Sequence, residues 1–168
     1  ERVMIGAQGG RVEAESRIPL PPSRLWELMR DVALRPHWDV TVRRVVREDG
    51  REEPSATRLY YMAPLPLGLR WRWEGEYASF QPPHTSSVRM VKGSILRPFR
   101  SLVGTWLLRP EGEGTLLKIV VKFEPRVPFP LLRRVMTRHT NRLLHKSLRQ
   151  LRLLAVQWSD RKTVQPPE

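Results

Sequence analysis

From Arg11 to Pro19 apolar and polar residues roughly alternate, with Val12, Ala14, Ser16 and Ile18 on one side, the pattern of a half-buried first strand. Pro21-Pro22-Ser23 then opens a helix carrying Leu25, Trp26, Leu28 and Met29 at helical spacing. Ala33 to Asp39 reads as a brief second helical turn broken by Pro36, leading into the β-branched run Val40, Thr41, Val42, Val45 and Val46 as strand two. Five more strands are predicted at about 55–62, 70–80, 85–93, 101–109 and 115–124, with no crossover long enough for a helix, so the sheet is expected to be antiparallel throughout. Alternation is clearest from Arg70 to Tyr77: Trp71, Trp73 and Tyr77 share the inward face, while Arg70, Arg72, Glu74 and Glu76 share the outward one. Leu117, Ile119, Val121 and Phe123 form the apolar face of the last strand.

Pro130 to about Trp158 has no internal proline or glycine and reads as one helix of roughly 45 Å. At about 100° per residue, Met136, His139, Leu143, Ser147, Leu151, Leu154 and Trp158 fall on one side and Arg134, Arg138, Arg142, Arg149 and Arg152 on the other. Residues 10–159 form one expected domain, and 160–168, rich in proline and poor in apolar content, an expected disordered tail.

In an antiparallel meander, successive connections fall at alternate ends of the sheet. Residues 49–53, 81–84 and 111–114 are polar turns, whereas 63–68, 95–99 and 127–130 are proline-rich and apolar. One end of the molecule is therefore expected to be hydrophobic, either capping a core or rimming a pocket through Leu65, Leu67, Leu96, Phe99 and Phe129.

With 168 residues the chain suits one domain with an interior of useful size, and without cysteine it has no disulfide, thiol nucleophile or cysteine metal site. Neither a signal-like start nor a run of about 20 apolar residues is present, so a cytoplasmic protein is the default expectation. The net charge of +13, from 30 Lys and Arg against 17 Asp and Glu, invites anionic partners, although a solvated arginine-rich surface explains it equally. Nucleic acid is disfavoured as a partner: in Arg70-Trp71-Arg72-Trp73 the rings and guanidinium groups occupy opposite faces, so no basic stacking platform forms.

His37, His84, His139 and His145 are too scattered to bind a metal, and no phosphate-cradling loop or nucleophile elbow occurs. His139, read as inward and near Thr140, is either a ligand contact or a hydrogen-bonded core histidine. Ser147 either allows close helix approach or leaves room for a guest. Trp71, Trp73, Tyr77 and Trp106 are the bulkiest inward side chains, able to serve as core or as cavity walls.

One strand, two short helices, six meandering strands and a long helix leave few arrangements, and the sheet is expected to curl around the one amphipathic helix available to cover it. This order resembles the START-like (SRPBCC) superfamily, with its polyketide cyclase/dehydrase, birch-pollen-allergen and coenzyme-Q-binding branches. Ile18-Pro19 to Trp26, Pro36-His37-Trp38-Asp39 and Gly104-Thr105-Trp106-Leu107-Leu108 are similar to structural signatures of that superfamily. The resemblance implies an α+β helix-grip fold with a seven-stranded sheet, and the binding of apolar or amphipathic ligands between sheet and helix. It carries over no catalytic residue, cofactor or metal.

The expected site comprises Trp71, Trp73, Tyr77, Trp106, Ile119, Val121, Met136, His139, Leu143 and Ser147, entered at the apolar end. The first reading is a non-catalytic carrier of a lipid, isoprenoid quinone or polyketide-like molecule, with transient contact to an anionic membrane through the cationic helix face. The alternative is an aromatase/cyclase using His139 or Tyr60 as acid or base.

Overall fold

The computed structural model describes residues 9–48 and 57–163, so the expected polar turn at 49–53 and the last five residues lie outside the described residues. Chain order is β1 (Gly10–Ile18), α1 (Pro22–Arg30), α2 (Arg35–Trp38), β2 (Arg44–Arg47), β3 (Arg58–Pro64), β4 (Arg70–Gln81), β5 (Thr85–Gly93), β6 (Phe99–Glu111), β7 (Gly114–Pro125) and α3 (Pro130–Thr163). The strands form one sheet in the order β1-β7-β6-β5-β4-β3-β2, with all neighbouring pairs antiparallel. This is the expected α+β architecture. The helix runs to Thr163, beyond the end expected near Trp158.

Strand two is shorter than the β-branched run Val40–Val46 suggests, because the backbone of its first half is engaged elsewhere. The Asp39 carboxylate accepts the Thr41 N–H (3.1 Å) and hydroxyl (2.6 Å), the Asp39 carbonyl accepts the Val42 N–H (3.2 Å), and the Val40 N–H donates to Ser147 Oγ (3.1 Å). An Asx turn has outcompeted the ladder.

Two apolar clusters hold the fold. The larger joins β1, α1, α2, β6, β7 and α3 through Ile18, Leu25, Trp26, Leu28, Trp38, Leu108, Leu117, Phe123, Leu148 and Leu151. Within it the Thr115 hydroxyl, fully buried, donates to the Leu20 carbonyl (2.7 Å) and fastens β7 to the start of α1. The smaller, at the other side of the sheet, joins Val42, Val45, Leu59 and Tyr61. α3 packs chiefly against β1 and α2, so it covers one flank of the sheet closely.

The buried line of α3 is Leu144, Ser147, Leu148, Leu151 and Ala155. Relative to the expected stripe it is rotated by roughly 70°, which turns His139 out to solvent. Arg134, Arg138, Arg142, Arg149 and Arg152 are exposed, as expected.

The three apolar connections lie at one end, as strand parity requires. Pro64 pairs with Arg70 and Phe99 with Pro125, while Ser94 N–H donates to the Arg72 carbonyl (2.8 Å) and Arg126 N–H to the Pro98 carbonyl (2.9 Å), stitching these connections together.

Candidate ligand-binding site

The register places Leu59, Tyr61 and Ala63 of β3, Trp71, Trp73 and Gly75 of β4, Val88 of β5, Leu102, Gly104, Trp106 and Leu108 of β6, and Leu117, Ile119, Val121 and Phe123 of β7 on the concave face. The flanks of this face are buried, but its centre is not: Val88, Leu102, Trp106 and Val121 are only half-buried, around Gly104. A Cβ built on Gly104 meets no atom within 4 Å. The concave face is therefore open over Gly104, a hollow floored by bare backbone. Met136, Thr140 and Leu143, in the first half of α3, are half-buried too, and Met136 packs against the same cluster as Leu102, Trp106 and Val121.

A row of aromatic rings lines the concave face toward the apolar end. Tyr61 stacks on Trp73 (ring centroids 4.0 Å apart), Trp73 adjoins Trp71 (6.1 Å), Trp71 meets Phe99 (5.7 Å) and Phe99 meets Phe123 edge-on (5.4 Å). On the other side Trp38 faces Trp106 at 5.9 Å, and Tyr77 contacts Phe80, which contacts Trp26.

One charged cluster lies among these rings. The Arg35 guanidinium sits 4.6 Å from the Trp106 ring, 4.9 Å from Trp38 and 6.0 Å from Tyr61. Its Nε donates to Asp39 Oδ2 (2.7 Å), one helical turn on, and both side chains are largely withdrawn from water. The Trp38 indole N–H is buried without an acceptor.

Burial pushes the Tyr61 phenol up to about 12, the Arg35 charge only partly opposing it. Because the folded state holds that proton more tightly, its contribution to stability is complete below the unfolded phenol value of about 10 and is lost as pH rises toward 12. Urea midpoints measured across that interval should fall for the wild type, and Tyr61→Phe should remove this component of the fall.

The expected site residues separate into groups. Trp73, Tyr77, Trp106 and Val121 are half-buried on or beside the open centre, and Met136 and Leu143 are half-buried in the first half of α3. Trp71 and Ile119 are buried in the walls. Ser147 is fully buried with its hydroxyl engaged by Val40 N–H, which makes it the fastener of α3 to the α2 loop. His139, expected inward, is exposed and borders nothing in the hollow. Tyr60, considered as an acid or base, lies on the convex face, paired with Val46 and Glu74. Of the rim, Leu67, Leu96 and Phe129 are exposed and Leu65 half-buried, whereas Phe99, the first residue of β6, is drawn inward between Trp71 and Phe123.

Sequence reasoning missed Gly104, Arg35, Asp39 and Tyr61 as site residues. A glycine inside a strand pattern is a known mark of close approach or open space, and Arg35 and Asp39 stand at the i,i+4 spacing of a helical ion pair. Two further clefts, of about 650 and 580 Å³, lie along β2 to β4, the first bordered by Arg43, Arg44 and Arg70 and the second by Arg44, Tyr60 and Arg72. Among the described residues no three His, Asp or Glu side chains gather into a metal-binding group, and no helix is long and apolar enough to cross a membrane.

A curved antiparallel sheet closing on a long C-terminal helix, with two short helices after the first strand, is the helix-grip arrangement of the START-like (SRPBCC) superfamily. Within it the chain belongs to the polyketide cyclase / dehydrase and lipid transport family, matched over residues 10–155. A solved protein of Thermus thermophilus is 27% identical with a TM-score of 0.73, the match covering 89% of this chain and 99% of that one. The Zhui aromatase/cyclase of Streptomyces sp. R1128 is 16% identical with a TM-score of 0.71, covering 88% and 93%. A START superfamily protein of Mycobacterium smegmatis is 15% identical with a TM-score of 0.66, covering 82% and 93%. Comparison with curated proteins gave no match.

Proposed function

We propose that this chain is a non-catalytic carrier or sensor for a hydrophobic or amphipathic molecule of the lipid, isoprenoid quinone or polyketide class, held between the concave face and the first half of α3. The observation that carries this reading is the unfilled space above Gly104, walled by half-buried apolar side chains. Desolvation supplies the affinity: at about 25 cal/mol per Å², withdrawing about 300 Å² of hydrocarbon from water is worth roughly 7 kcal/mol before the cost of association. Arg35, packed on the Trp106 ring, offers guanidinium donors to an oxygen at one end of the guest, which fits an amphipathic ligand better than a pure hydrocarbon.

The aromatase/cyclase alternative shares the hollow but requires an acid or base within it. His139 and Tyr60 lie elsewhere. Of the groups near the hollow, Tyr61 holds its proton to about 12 and the Asp39 carboxylate is already engaged by Arg35 and Thr41. Neither is free to act as a base, which supports a carrier.

Titration with cis-parinaric acid should give saturable probe fluorescence accompanied by quenching of the protein's tryptophans. A linear, non-saturating response would remove the proposal.

A further inference from the structure

We propose that the apolar end of the molecule docks onto the surface of an anionic lipid bilayer, with the mouth of the hollow turned toward the lipid. The proposal rests on the ligand-binding reading for its purpose, since a mouth against lipid gives a hydrophobic guest a path that avoids water. It does not rest on that reading for its test.

Apolar side chains project from this end without burial in the protein, among them Leu67 at 97% exposure, Ile95 at 81%, Leu131 at 60% and Phe129 at 56%. They come from three separate connections and the first turn of α3, so they are separate tips at this end rather than one groove that would seat a peptide. Leu67 adopts a φ of 60°, the left-handed region disfavoured for any residue with a Cβ, and holds its side chain outward from there. Arg126 fixes the neighbouring loop by donating through its guanidinium to the Ile95 carbonyl (2.5 Å) and through its backbone N–H to the Pro98 carbonyl (2.9 Å). The tips are braced in an exposed position.

Charge at this end is predominantly positive, with Glu124 of β7 the acidic residue beside it. Residues 62–73, 91–110 and 125–158 contain no aspartate or glutamate, and Arg70, Arg100, Arg126 and Arg134 form an exposed collar behind the apolar tips. Acidic residues gather instead at the far end, where Glu111 pairs with Arg17 beside Glu113. Hydrophobic tips backed by arginine match a bilayer interface, in which acyl chains lie beneath anionic headgroups. A nucleic acid would answer the arginines and leave the exposed leucine and isoleucine unmatched.

Flotation of the guest-free protein with vesicles of phosphatidylcholine, alone or with about 30% phosphatidylglycerol, tests this directly. The protein should float with the anionic vesicles, the bound fraction falling as salt rises, at roughly fivefold in partitioning per arginine removed from the collar. Leu67→Glu and Ile95→Glu, both at solvent-exposed positions, should each lower partitioning at least about tenfold. Leu153→Glu, also exposed but over 20 residues along α3 and so roughly 35 Å from the tips, should float like the wild type. Failure of the wild type to float with anionic vesicles overturns the proposal. So does equal flotation of wild type, Leu67→Glu and Ile95→Glu, which would mean charge adsorption without a seated end. Probe uptake without flotation would sink docking alone, and flotation without probe uptake would sink the carrier reading alone.

Discussion

Gly104→Leu should lower uptake of cis-parinaric acid at least about tenfold while leaving the melting temperature of the empty protein unchanged or higher. The two effects have one cause. Gly104 lies in the interior of β6, between Val88 and Val121, where glycine costs about 0.5–1 kcal/mol relative to alanine through the extra freedom of the unfolded chain. Its φ is not in the left-handed region, and a Cβ would touch nothing within 4 Å, so a side chain fits without strain. What leucine fills is the volume assigned to the guest, and losing that contact removes at least about 1.4 kcal/mol of binding. Thermal melts and probe titrations on the same preparation measure both. A variant that binds as tightly as the wild type would show that the space over Gly104 is not where the ligand goes.

Asp39→Ala should destabilise the fold by about 3–5 kcal/mol, the largest effect expected of any polar substitution here. The carboxylate holds Arg35 Nε at 2.7 Å and receives both the backbone N–H and the hydroxyl of Thr41. Its removal strands a guanidinium packed between the Trp38 and Trp106 rings and frees the turn that sets where β2 begins. If the penalty comes from the stranded charge, Arg35→Met combined with Asp39→Ala should be less destabilised than the sum of the single variants by about 1 kcal/mol or more. Urea denaturation of the four proteins closes the cycle, and strict additivity would show that Arg35 and Asp39 act independently.

Strand alternation makes most of this fold readable without coordinates, because a side-chain period of two on a one-sided sheet admits little else. The ends of β3 to β7 fall within a few residues of expectation, and the clustering of apolar connections follows from strand parity. Strand two is shorter than its composition suggests because β-branched residues signal a strand, whereas the fate of Val40 and Thr41 is decided by hydrogen bonds to Asp39 and to Ser147, more than a hundred residues away. The face of α3 is misleading for a different reason. Leu131, Val135, Leu153 and Val156 lie exposed on it, so apolar residues occur nearly all round and periodicity alone cannot centre the stripe. That ambiguity is what places His139 inward on the pattern and outward in the fold.

The hollow itself is the least legible feature. A packed core and a cavity draw on the same aromatic and aliphatic residues, and the difference lies in atoms that are missing above one glycine. Arg35 escapes notice in the sequence because its role depends on the rings of Trp38, Trp106 and Tyr61, which meet only when α2 is laid over β3 and β6. Two of the four residues missed by sequence reasoning, Arg35 and Tyr61, are also the ones that give the concave face its polar character.

Diffraction from crystals grown with a terminally brominated fatty acid would locate the guest through the anomalous signal of bromine. A peak above Gly104, between Val121 and the first turns of α3, is the expected result. A peak confined to the clefts lined by Arg44 and Tyr60, with the space over Gly104 left to solvent, would contradict the account.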